Sequence, residues 1–318
     1  MPIDPHFAAK FPRLAGVTSV LDAIVDPTQR AKLEAYMAWD PGYAPPPVQS
    51  ANDAADGPHG PVPVRLYRST ERRQETSPAL VWLHGGGFVA GDLDMPEADV
   101  VARELAHRAG AVVISVDYRL AVDGVTFPVP HDDVVAAYRW AARNAADLEI
   151  DPRRISLGGA SAGANLACGA ALHLRDDADD PGPYRLLLAY PLVHAVVPRC
   201  SAHEAAAMAE VPPVLRFPDE LIAQLVANYV GTPVGSEKAM PAYAMPAEGD
   251  VRDLPPVTII TCEYDDLRPS GEALAQMLED AGVTVRLVQE GGVLHGHLNE
   301  DPRIPQVDHS LSILANAL

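Results

Sequence analysis

The chain has 318 residues, 48% hydrophobic and 21% charged, which is ample for a buried core and excludes a disordered chain or a disulfide-stapled miniprotein. Lys and Arg number 24 against 43 Asp and Glu, a net charge of −19, and a chain this acidic is repelled by phosphate backbones, so no nucleic-acid partner is expected. No run approaches the roughly 18 uncharged apolar residues of a transmembrane helix, so no membrane span is expected either.

Residues 1 to about 50 hold a helical stretch from about Val20 to Trp39, ended by the Pro-rich PGYAPPPV, which starts an extended connector. Short apolar runs then alternate with helical patterns. Strands are predicted at Pro63–Tyr67, Ala79–His84, Val112–Tyr118, Ile155–Gly158, Leu186–Tyr190, Val257–Thr261 and Thr284–Gln289. Helices are predicted at Glu97–Ala109, Asp132–Asn144, Ala162–Leu174, Ser270–Ala281 and Gln306–Ala317. Most strand runs are apolar throughout, as in strands covered on both faces. The alternation implies an α/β fold, a mostly parallel sheet with helices on both sides. Residues 192 to about 250 break the pattern. They carry one helical stretch, Pro218–Val230, and no clear strand, and read as an insertion. Residues 1–50 and this insertion form an expected helical cap over the sheet's C-terminal edge, where open α/β folds bind ligands. Residues 51–318 are the main domain. The three cysteines, Cys168, Cys200 and Cys262, are odd in number and widely spaced. That argues against a disulfide framework or a Cys zinc site and for a reduced, cytoplasmic protein. The N-terminus lacks the basic-then-apolar order of a secretory signal.

The strongest local signal is Gly159-Ala160-Ser161-Ala162-Gly163, between the strand ISLGG and an Ala-rich helix. That is the setting of a nucleophile elbow, a strained strand-to-helix turn that exposes a serine. Small neighbours permit the turn, and the helix N-terminus adds free N–H groups and positive potential beside the hydroxyl. Upstream, His84-Gly85-Gly86-Gly87-Phe88 follows the strand ALVWLH. Acyl transfer builds negative charge on a carbonyl oxygen, and a triglycine lets bare backbone N–H donors approach it. An acid and a base are then expected in the order Ser, Asp/Glu, His. Glu263, Asp265 and Asp266 follow the strand VTIIT, and His295 and His297 follow TVRLVQ. Asp265 with His295 is the preferred pair. Asp266 or Glu263 as acid, His297 as base, and the two histidines as metal ligands are alternatives. Nothing else in the sequence accompanies the histidines as a metal cluster, so no metal is assigned. Asp117-Tyr118-Arg119 reads as an internally paired loop support, Trp82 as core, and Cys168 as a buried thiol.

Taken together, roughly residues 60–317 resemble the hormone-sensitive-lipase-like branch of the α/β-hydrolase esterases. The resemblance rests on His84–Phe88 with Gly91 and Asp94, Val116-Asp117-Tyr118-Arg119-Leu120-Ala121, Phe127-Pro128 with Asp132-Asp133, the elbow, Tyr190-Pro191, Tyr264-Asp265 with Leu267-Arg268, and His295-Gly296. It implies an α/β-hydrolase fold with a helical cap, Ser161 as nucleophile, Asp265 as acid and His295 as base. It further implies an oxyanion hole from the N–H groups of Gly86, Gly87 and Ala162, and dimers through the edge strand or last helix. Phe88 and Val89, next to the oxyanion glycines, are candidate acyl-pocket residues. The chain departs from the family pattern at Ala160, where the family has Asp, Glu or Thr, at Asp266 and Pro269-Ser270, and at His297, where it has Phe. The expected function is hydrolysis of carboxylic esters of small to medium acyl chain, or lactones, through an acyl-enzyme, with no metal or organic cofactor. An acyltransferase, a cyclising enzyme or a dehydratase on the same scaffold is the alternative. A non-catalytic small-molecule binder is disfavoured by His295.

Overall fold

In the computed structural model, which describes residues 2–19, 26–39, 42–71, 76–178, 181–236 and 239–318, eight strands pair into one sheet. They are β1 (Val48–Ala55), β2 (Val62–Ser69), β3 (Ser77–Leu83), β4 (Val112–Val116), β5 (Ile150–Ala160), β6 (Leu186–Ala189), β7 (Val257–Tyr264) and β8 (Val285–Leu294). Their spatial order is β1-β2-β4-β3-β5-β6-β7-β8. β1 and β2 are antiparallel, as are β2 and β4, and every other pairing is parallel. The chain steps outward from β3 to β4 and then returns to place β5 on the other side of β3. That reversal opens a crevice at the C-terminal ends of β3 and β5.

Nine α-helices lie among the described residues: α1 (Pro5–Lys10), α2 (Pro27–Met37), α3 (Pro96–Ala109), α4 (Val129–Arg143), α5 (Ala162–Asp176), α6 (Ala202–Ala207), α7 (Asp219–Val230), α8 (Arg268–Asp280) and α9 (Pro305–Asn316). β3 shows how the faces divide. Ala79, Val81 and Leu83 pack with residues of α4, α5 and α8, whereas Leu80 and Trp82 pack with α3 and α9. All five are fully buried, so the strand is apolar at every position rather than alternating.

One strand was not expected. β1 has the sequence VQSANDAA and is exposed along nearly all its length. It carries no apolar alternation because it joins by backbone pairing to β2 at the sheet's edge, where polar side chains also discourage further pairing. The sheet therefore begins at Val48, before residue 51. The helix expected from Val20 is described from Pro27, where Pro follows the Asp26 cap, and Val20–Val25 lie outside the described residues.

Between β6 and β7 the described residues contain α6, α7 and short 3₁₀ turns but no strand. Leu14 and Tyr36 from the N-terminal segment share a small apolar cluster with Val214 of this insertion. The two segments outside the sheet therefore touch each other. The N-terminal segment is also tied to the sheet, because Asp4 N–H donates to Gly292 O at the end of β8 (2.8 Å). No helix among the described residues is long and apolar enough to cross a membrane.

The β5–α5 turn packs directly against the end of β3. A β-carbon at Gly163 would clash with the carbonyl oxygens of Leu83 and His84. Gly163→Ala should therefore push α5 off β3 and cost about 3 kcal/mol or more, seen as a lowered unfolding midpoint in denaturant.

Candidate active site

Ser161 sits between the last residue of β5 and the first of α5, with φ 53° and ψ −116°. This is a left-handed conformation that a non-glycine residue adopts only when its surroundings enforce it. Its N–H donates to Ala189 O (2.9 Å), and Asn165 N–H donates to its carbonyl (3.1 Å), so the backbone is held on both sides. Asp265 follows β7 directly and His295 follows β8 directly. Since β7 and β8 are neighbours, the two side chains meet above one sheet edge. His295 Nδ1 lies 2.8 Å from Asp265 Oδ2, and His295 Nε2 lies 2.9 Å from Ser161 Oγ. Asp265 is buried, and its second oxygen accepts from Leu267 N–H at 2.8 Å. Burial pulls the His295 pKa down. The Asp265 charge and its hydrogen bond, with help from Glu97 and Asp266, outweigh that and leave it raised above 6.5.

The triglycine turn after β3 stands beside the serine. Gly86 and Gly87 both have positive φ, 115° and 61°, which only glycine adopts freely. Val89 and Ala90 both donate to Gly86 O (3.1 and 3.0 Å), closing the turn. No hydrogen bond among the described residues uses the N–H of Gly86 or Gly87. Ala162 is the first residue of α5, where helical N–H groups lack helical acceptors. Phe88 is fully buried, stacked on Tyr229 of α7 at 4.1 Å and 6°. Its ring therefore braces the triglycine loop against the insertion. Val89 is partly exposed.

One residue at this site was missed in the sequence. Glu97, in the first turn of α3, is 2% exposed. Its Oε2 accepts from Gly85 N–H (2.6 Å). Its Oε1 accepts from Tyr190 OH (2.5 Å) and Asn299 Nδ2 (3.1 Å). Asn299 Oδ1 in turn accepts from Glu97 N–H (3.2 Å). Tyr190 packs edge-on against His295 at 4.9 Å. One carboxylate thus ties the triglycine turn, the support of His295 and the loop after it. An acidic residue in a first helical turn is ordinarily a solvated helix-dipole partner, and nothing in the local pattern sets Glu97 apart from that role. Ala160, by contrast, offers only a buried methyl at the end of β5. Besides Asp265, a buried carboxylate near the elbow comes from Glu97.

The other candidates go elsewhere. Asp266 pairs with Arg216, and Glu263 Oε2 accepts from Gly292 N–H at 2.7 Å. His297 is buried, with Nε2 2.8 Å from Ser310 Oγ and Nδ1 3.3 Å from Cys262 Sγ. Burial, with the nearby His295 charge, lowers its pKa to about 3, so it is a neutral core group. Among the described residues no cluster of three or more His, Cys, Asp or Glu is arranged to hold a metal ion. Arg119 pairs with buried Asp133 at 2.5 Å and donates to the carbonyls of His59 and Pro61, while Tyr118 OH donates to His84 O. Asp117 is fixed through its backbone, its N–H donating to Pro63 O at 2.9 Å. Cys168 is buried in the core, its thiol pushed up to about 12 by desolvation.

Comparison with known proteins places the chain in a family. A family with the α/β-hydrolase fold matches residues 80–299. The carboxylesterase NlhH of Mycobacterium tuberculosis is 38% identical over 239 residues, 75% of this chain and 72% of its own. An ethyl acetate hydrolase of Pseudomonas putida is 32% identical over 265 residues, 81% of this chain and 78% of its own. The structure of a hyperthermophilic esterase from the archaeon Pyrobaculum calidifontis superposes with a TM-score of 0.81 at 31% identity, covering 100% of this chain and 98% of that one. The chain belongs to the α/β-hydrolase family, in the hormone-sensitive-lipase-like branch of its esterases.

Glu97→Gln retains the shape but sets an amide NH₂ against one of three hydrogen-bond donors. The buried mismatch should cost about 1–3 kcal/mol, measurable by urea unfolding.

Proposed function

We propose that this protein hydrolyses carboxylic esters of small to medium acyl chain, lactones included, through an acyl-enzyme on Ser161. The observation that carries the reading is the continuous hydrogen-bonded series from Ser161 Oγ through His295 to Asp265, beside the N–H groups of Gly86, Gly87 and Ala162. Ser161 Oγ attacks the ester carbonyl carbon as His295 Nε2 takes its proton. Asp265 holds the Nδ1–H tautomer and stabilises the imidazolium. The negative charge on the carbonyl oxygen falls to the three N–H donors, each worth about 10²–10³ in rate. His295 then gives its proton to the departing alcohol. In the second half it takes a proton from water, which attacks the acyl-serine, and returns that proton to Ser161 Oγ as the acid leaves.

The ester-hydrolase reading is supported by the name of one relative, a carboxylesterase, and the small-acyl reading by that of another, an ethyl acetate hydrolase. The small-acyl reading is also supported by Leu225 of α7, whose side chain lies against Gly87. In this reading the N-terminal segment and the insertion at about 192–250 form the cap. Their shared cluster at Leu14, Tyr36 and Val214 supports that assignment. Three unpaired cysteines fit a reducing compartment such as the cytoplasm.

Hydrolysis of ethyl and p-nitrophenyl esters from acetate to laurate tests the assignment. Ser161→Ala should lower kcat by about 10⁴-fold or more with the fold intact, and activity should decline toward the long chains. Well-folded wild type without turnover on any ester would refute it. The pH profile is a second check. The working form of His295 is neutral, so kcat/KM should be full above its raised pKa and lost as pH falls through it, at an apparent value above 6.5. Asp265→Asn removes the charge that raises it. The acid limb should then move to lower pH as the rate drops by about 10⁴-fold.

A further inference from the structure

The turn that carries Asp265 reaches in two directions. Asp265 faces His295, and the next residue faces the insertion. Arg216 Nε and Nη2 each donate to an Asp266 oxygen at 2.8 Å, and Phe217 N–H donates to Asp266 Oδ2 at 2.7 Å. Arg216 Nη1 also donates to Met208 O (2.7 Å), which fixes the guanidinium from behind. Two residues further, Arg268 Nη2 pairs with Glu204 Oε1 of α6 at 2.6 Å. One acid and one base of the turn therefore engage one base and one acid of the insertion. The Arg216–Asp266 contact is a two-pronged fork, the geometry in which a guanidinium is most directional. At 30% and 17% side-chain exposure, both partners are better shielded from salt than an open surface pair.

What this fork fixes is Phe217. Its ring centre is 4.7 Å from that of His295, at 63° between planes. In ester cleavage His295 hands its Nε2 proton to the departing alcohol oxygen, so a ring packed edge-on with the imidazole borders the alcohol side of the site. Leu225, against Gly87, stands instead beside the carbonyl-oxygen donors. Of these two apolar side chains of the insertion, Phe217 is the one braced by the acid-bearing turn.

We propose that Phe217 is a specificity-determining residue that closes the alcohol side of the site to bulky leaving groups, and that Arg216 and Asp266 are the pair that positions it. The substrates so admitted are esters of compact alcohols. The inference rests on the ester-hydrolase reading above and goes beyond it by naming which half of the ester is selected and by what.

The test uses the full chain and two substrate series. In one, the acyl group stays acetyl and the alcohol grows from ethanol to cyclohexanol to menthol. In the other, the alcohol stays ethanol and the acid grows from acetate to hexanoate. Phe217→Ala should lower the preference for ethyl over cyclohexyl acetate, as a ratio of kcat/KM, by about tenfold or more. Arg216→Met and Asp266→Asn should shift that ratio in the same direction by about threefold or more, with the acyl-series ratios within about twofold of wild type. Arg216→Lys keeps the charge without the fork, so it should fall between wild type and Arg216→Met. It also serves in place of Arg216→Met if that variant does not fold. An alcohol ratio unmoved in Phe217→Ala overturns the proposal, as does a shift of both series together in the Arg216 and Asp266 variants. Either result with an active wild type leaves ester hydrolysis standing. A wild type inactive on every ester removes both readings.

Discussion

Helix α5 can lie against the end of β3 only because positions 159 and 163 carry no side chain. At Gly163 a single methyl group would occupy the space of two β3-edge carbonyl oxygens, and at Gly159 it would meet Gly163 itself. The geometry of the whole site depends on this contact. It forces the chain to reverse within one residue, so Ser161 takes the left-handed conformation, and it brings the start of α5 beside the triglycine turn. The strain at Ser161 is sustained by the packing of β3, β5 and β6 around it. Hydroxyl, helix start and loop donors are thereby collected at the point where the sheet order reverses.

Charge in the interior obeys local partners rather than the net balance. A chain at −19 buries several carboxylates near its centre, and each is held by donors of its own. Asp265 has His295 and the Leu267 N–H. Glu97 has Gly85, Tyr190 and Asn299. Asp133, further out, has the backbone and side chain of Arg119 (2.9 and 2.5 Å). Removing any one donor would leave a buried acceptor short of its bond, which costs more than the bond contributes on balance. These groups also act at a distance. Glu97 and Asp266 add to Asp265 in favouring the protonated form of His295, so its imidazole is tuned by residues it does not touch.

The sequence was most readable where one residue type has a single physical use. Glycine at 86, 87, 159 and 163 marked tight backbone, and apolar runs marked the central strands, because both signals are local. The α/β class and the places of Ser161, Asp265 and His295 at strand ends came from them. β1 was hidden because an edge strand needs no apolar pattern. Adjacency to a glycine turn does not reveal which way the ring of Phe88 points. Tyr229, which it stacks on, lies far along the chain in the insertion. Glu97 and Asp266 were opaque for a related reason. Glu97 looks like an ordinary surface acid, and Asp266 like a surface acid or an alternative to Asp265, until the partners arrive from distant segments, at Tyr190 and Asn299 for one and Arg216 for the other. The departures at 266 and 297 turn out to have occupants: an ion pair with the insertion and a neutral histidine bonded to Ser310.

Two of the chain's three tryptophans report on one spot. Trp82 Nε1 donates to Glu97 O (2.8 Å), and Trp39 Nε1 donates to Asn299 O (2.7 Å), so the residues that clamp each other each hold an indole by the backbone. Trp82 is fully buried and Trp39 partly exposed, while Trp140 packs into the opposite cluster. Their emission maxima should differ, with Trp39 the redder and the more readily quenched by solutes. The molecule therefore carries an intrinsic optical probe on either side of the Glu97–Asn299 contact, readable without a label or a substrate.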